Sequence, residues 1–162
     1  MDRAPAIPAP GPGATVDAAA LQKAQTWLSG ARLPPGAVEV RYPPSGTTVD
    51  DQYQDWWCRP MAEVDAYWQV PGMSASRASN WLRAHPSNGL DVIGPTYVAP
   101  DATSTNQAVS DFPSPEAFEG MTFDLASWGR NGSVIHLQIG VLASSAVCAT
   151  PALGSELGTA GG

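Results

Sequence analysis

A chain of 162 residues with 43 % apolar side chains is long enough to bury one real core and too short for two once its ends are set aside. Its net charge of -7, one lysine (Lys23) and scattered arginines exclude the clustered basic surface that a nucleic-acid partner needs, and disfavour a strongly anionic membrane surface. No apolar run approaches the roughly 18 residues of a transmembrane segment.

Residues 1–14, beginning "MDRAPAIPAPGPG", and the Gly-rich residues 151–162 offer too little apolar area to offset their ordering entropy, which predicts two flexible tails around a single domain at 15–150. Met1, Asp2 and Arg3 lead straight into the Pro-rich segment without the apolar stretch of a signal peptide. That suits a cytosolic protein, and equally a mature secreted domain whose leader has been removed.

Thr15 opens a helical pattern in which Val16, Ala20, Leu21, Ala24, Trp27, Leu28 and Ala31 share a face, so a helix is predicted over 15–29 with Thr15 as N-cap and Gly30 beyond its end. Pro34, Pro35 and Gly36 stop it, and "AVEVRY" (37–42) alternates as a strand does. A loop at 43–52 leads to "YQDWWCRP" (53–60), and "AEVDAYWQV" (62–70) is rich in strand formers. Ser74 is a natural N-cap for a second helix in which Ala75, Ala78, Trp81 and Leu82 share a face, ending near residue 85 before Pro86.

"LDVIGPTYV" (90–98) reads as a strand with a Gly-Pro interruption, and the polar stretch 99–120 as a long loop. "MTFDLASW" and "SVIHLQIGV" then form a hairpin, with strands at 121–128 and 133–142 and Asn131-Gly132 expected to supply the positive-φ turn. "AQTWLSGARLPPGAVEV" (24–40) echoes "ASNWLRAHPSNGLDV" (78–92), each a helix feeding a strand. The predicted fold class is therefore α+β: two helices packed on one face of a mainly antiparallel sheet, with a possible α-β-β internal repeat.

Cys58 and Cys148 are the only cysteines. Paired, they would close a loop of about 90 residues; the alternatives are two unrelated buried thiols and a redox or metal role. His85 at the end of the second helix suits the helix dipole. His136 could serve as the base of a triad with Asp124 across the hairpin, but no Gly-x-Ser-x-Gly elbow accompanies it. The two cysteines and two histidines are too dispersed for a zinc site, Asp50, Asp51 and Asp55 lack the pattern of a calcium loop, and no phosphate-binding loop occurs, so neither metal nor cofactor is expected. Glu63 and Asp65 are a possible carboxylate pair whose separation sequence does not reveal.

"LPPGA" (33–37), "YWQVPG" (67–72), "WLRAHPSNGL" (81–90) and the closing hairpin resemble an uncharacterised group of secreted or lipid-anchored actinobacterial proteins, over about residues 20–142. The resemblance implies an extracellular or cell-envelope location, and it supplies no activity or catalytic residues. The chain departs from the group's pattern after the last strand, where it reads "LASSAVCATPALG".

Adjacent tryptophans in an extended segment point to opposite faces, one inward and one able to form a platform with a neighbouring tyrosine. The expectation is a non-catalytic envelope or extracellular domain that binds a glycan or protein partner through Tyr53, Trp56, Trp57 and Trp68. The alternatives are a secreted hydrolase using His136 and Asp124, and a structural subunit of a larger assembly.

Overall fold

The computed structural model describes residues 15–49, 54–87, 89–95, 97, 99 and 106–149. Both expected tails and Tyr53 lie outside them. The elements are α1 (Ala18–Ser29), β1 (Val38–Val40), β2 (Cys58–Val70), α2 (Ala75–Ala84), β3 (Asp91–Ile93), β4 (Asn106–Phe112), β5 (Gly120–Trp128) and β6 (Gly132–Cys148). The strands form one sheet in the order β1-β2-β6-β5-β4-β3, antiparallel at every pairing. The α1-β1-β2 unit builds one end of the sheet, α2-β3-β4 builds the other, and the β5-β6 hairpin fills the centre.

Asp17, rather than Thr15, caps α1. One of its carboxylate oxygens accepts the Ala20 N–H at 3.3 Å and the other accepts the Ser144 N–H at 2.8 Å, so the cap also ties the helix to β6. The second hydrogen bond is the main cause that holds this exposed carboxyl below its ordinary value. Ser74 caps α2 by accepting from Arg77 N at 3.3 Å. At the other end His85 Nδ1 lies 2.7 Å from Trp81 O, with the two rings stacked at 4.1 Å.

Both helices pack on one face of the sheet. There β5 contributes Met121, Phe123 and Leu125, β6 contributes Ile135, Leu137, Ile139 and Val141, β2 contributes Ala62 and Val70, and Ala20, Ala24, Ala78 and Leu82 come down from the helices. The period of two in each strand creates this face: the alternate residues of β5 and β6 all turn the other way.

Three strands differ from their sequence expectation. β4 lies inside the expected loop because "NQAVSDF" mixes polar and apolar residues on both of its faces, leaving no clean alternation. β6 continues past residue 142 through small and polar residues to Cys148, with a register shift where β2 passes Pro60. β3 is reduced to Asp91–Ile93 before Gly94-Pro95. In the hairpin, Gly129 carries the positive φ of +63°, while Gly132 already pairs with Trp128 as the first residue of β6. The loop is thus three residues, 129–131, where the expected strand bounds left four, and the positive φ falls on Gly129 instead of Asn131-Gly132.

Cys58 and Cys148 are bonded, their Cα atoms 4.0 Å apart, as directly opposed residues of β2 and β6.

Candidate functional site

The sheet face away from the helices carries the chemistry. Strand register sets two polar rows across it. In one, Ser110 of β4, Thr122 of β5, Gln138 of β6 and Asp65 of β2 stand side by side; in the next, Asp124 of β5, His136 of β6 and Tyr67 of β2 do the same. These rows separate two small apolar clusters, one around Trp56, Met61 and Phe112 and one around Val49, Ala126 and Val134.

The segment after β1 crosses this face and partly roofs it. Val49 sits in the second apolar cluster, and Gln54 is buried, receiving the Thr122 hydroxyl hydrogen on Oε1 at 3.1 Å and donating its N–H to Gln138 Oε1 at 3.1 Å. Gln138 Nε2 in turn donates to Asp124 Oδ2 at 2.6 Å. Asp124 is almost fully buried, and desolvation pushes its carboxyl up to about 7 against the smaller opposing effect of the Gln138 amide.

His136 is equally buried. Its ring stacks on Tyr67 at 4.3 Å, and its Nε2 lies 2.9 Å from Asp65 Oδ2, while Nδ1 has no hydrogen-bond partner among the described residues. Asp124 and His136 are cross-strand neighbours as the hairpin implied, but each hydrogen-bonds elsewhere, and among the described residues no serine hydroxyl bonds the imidazole. Among the described residues, His136, Asp124 and a serine do not form a hydrogen-bonded triad.

Trp56 and Trp57 do face different ways. Trp56 is inside, its ring lying on Gly140 and tilted against Phe112 at 6.2 Å between ring centroids. A Cβ at position 140 would come within 2.6 Å of that ring. Trp57 is half-buried beside the disulfide, and its carbonyl accepts the Ala149 N–H at 2.8 Å. Trp68 belongs to the opposite face, half-buried against the helix-side core. The tryptophans grouped from sequence thus do not share one surface, since 56 and 68 are separated by the sheet itself. Gly140→Ala is accordingly expected to cost about 1–3 kcal/mol, because the indole must leave its seat; an unchanged urea midpoint would show that the indole does not depend on this contact.

Between Trp56 and the stacked Tyr67–His136 pair lies a notch of about 350 Å³, its wall and rim formed by Glu63, Asp65 and Gln138 over Val64 and Ile139. A second cleft of about 470 Å³ runs from Trp56 past Arg59 and Pro60 to the same Glu63. Glu63 is held above its ordinary value, chiefly by burial, with Arg59 opposing and Asp65 reinforcing. The participation of Tyr67 and Gln138 in the notch and the His136–Asp65 contact were not singled out from sequence. The available signal was the alternation Glu63, Asp65, Tyr67 on the outward positions of one strand.

Among the described residues, no group of three or more His, Cys, Asp or Glu side chains is placed to hold a metal ion, and no helix is long and apolar enough to cross a membrane. No protein-family model, curated protein or solved structure matches the chain.

Proposed function

We propose that this is a non-catalytic domain of the cell envelope or extracellular space that binds a glycan or protein partner at the notch between Trp56 and Tyr67. The observation that carries this is the convergence there of two aromatic rings with the carboxylates of Glu63 and Asp65 and the amide of Gln138 in one concave site. Aromatic walls with a few oriented polar groups characterise ligand sites. The aromatic group expected from sequence contracts in this proposal to Trp56 with the newly recruited Tyr67. The oxidising location draws support from the disulfide and from the likeness to secreted or lipid-anchored actinobacterial proteins.

The binding reading is favoured over the hydrolase alternative because, among the described residues, no nucleophile is hydrogen-bonded to the His136 ring. Titration of isotope-labelled protein with soluble cell-wall glycan fragments and with extended peptides is expected to shift the amides of Glu63, Asp65, Tyr67 and Gln138, and Tyr67→Ala to weaken the response about tenfold. Ligand turnover that disappears in His136→Ala would replace the binding assignment with the catalytic one.

A further inference from the structure

β2 is an edge strand for half its length. It spans Cys58–Val70, yet β1 covers only Tyr67, Trp68 and Gln69. The cause is in the sequence: three and four residues after Val40 come Pro43 and Pro44, which lack the N–H a ladder requires, and the chain leaves the sheet plane to cross the polar face. From Met61 to Ala66 the outer backbone groups of β2 therefore have no strand beside them among the described residues, over a length of about 20 Å. Such an edge is a template for another extended chain.

The side chains along it define what fits. Glu63 and Asp65 are both exposed, alternate on one face, and stand at the rim of the notch. Although the residue is exposed overall, partial desolvation holds the Glu63 carboxyl above its ordinary value, with Arg59 opposing and Asp65 reinforcing, so a further cation opposite would favour the carboxylate. A second copy of this chain fits poorly. In an antiparallel pairing centred on Val64, Glu63 would stand opposite the other copy's Asp65, and centring on either acidic residue would bring identical carboxylates together.

We infer that the Met61–Ala66 edge of β2 takes up an extended segment of a protein partner bearing Lys or Arg at alternate positions, added to the sheet in line with β1. Cross-strand cations then face Glu63 and Asp65, and one side chain enters the notch beside Tyr67. This rests on the partner-binding proposal above and names the partner's chemistry.

The test uses the full chain and a capped peptide, Thr-Lys-Val-Lys-Val-Lys-Thr, followed by calorimetry and amide shifts. Binding in the micromolar range is expected, with shifts along 61–66, at least about tenfold tighter than for the same peptide with Glu in place of Lys. Methylating alternate peptide nitrogens on the edge that faces β2 should abolish binding. Glu63→Gln with Asp65→Asn, which keeps an acceptor for His136, should weaken it about tenfold, and Glu63→Lys should move the preference toward the Glu peptide. Equal binding by the methylated peptide or by spermidine would reduce the edge to general charge attraction and overturn the inference. A concentration-dependent dimer that protects the same amides would overturn it in favour of self-pairing. If the peptide fails while glycan fragments still shift the notch, only this inference falls; if both fail, the binding proposal falls with it.

Discussion

Replacing Cys58 and Cys148 together by serine is expected to lower the unfolding free energy by about 4–5 kcal/mol, measured by urea denaturation against the oxidised protein. The bond joins residues 90 apart in sequence, and closing a loop of that length removes about this much chain entropy from the unfolded state. Against a total stability of about 5–15 kcal/mol for a domain of this size, that is a large share. It also acts where the ladder is weakest: the β2–β6 pairing is interrupted between Arg59 and Met61, so the terminal pairs are separated from the main run. A loss below about 1 kcal/mol would mean that the Trp56 and Phe112 cluster and the backbone ladder hold these ends together without the covalent link.

Asp124→Asn is expected to stabilise the protein at pH 8 by an amount on the order of 4 kcal/mol and to leave it nearly unchanged at pH 4. Buried Asp124 titrates near 7 in the fold against an ordinary value of 3.8. Between those values the folded state retains a proton that the unfolded state has released. Stability from this group is therefore fully present below about pH 4 and declines as pH rises toward 7. Asp111, raised to about 6 by burial with the Ser87 N–H opposing, adds a slope of the same sign over a narrower range. Asparagine keeps an acceptor for Gln138 Nε2 and removes the charge, so the pH dependence should flatten. Urea midpoints of both proteins at pH 4, 6 and 8 decide it; a difference independent of pH would place its origin in packing.

The polar face also shows why the candidate site was only partly visible in sequence. Glu63, Asp65 and Tyr67 alternate along one strand, and His136 and Gln138 along another, so each set can be assigned to one face from the period of two alone. Which residue of β2 meets which residue of β6 depends on a pairing 71 residues apart in the case of Asp65 and His136. Hairpin geometry predicts that Asp124 stands opposite His136, as it does, but the hydrogen bonds run diagonally, from Gln138 to Asp124 and between His136 and Asp65. Trp68 illustrates the reverse difficulty. It was grouped from sequence with Tyr53, Trp56 and Trp57, whereas the period of two in β2 turns it to the helix side, opposite to Tyr67.

Local chemistry in the chain determined α2 with its Ser74 cap, α1 to within a turn, the central hairpin, the division of β5 and β6 into an apolar and a polar face, and the α+β class. These rest on interactions within a few residues or on a periodicity that survives any tertiary arrangement. Long-range pairing decided the rest. β4 became a strand because β5 offered it a partner, β6 extended to Cys148 because Cys58 lies opposite, and Trp56 turned inward because Gly140, 84 positions later, leaves room for its ring. Those contacts have no local signature, since their free energy comes from surfaces that exist only once the sheet has closed.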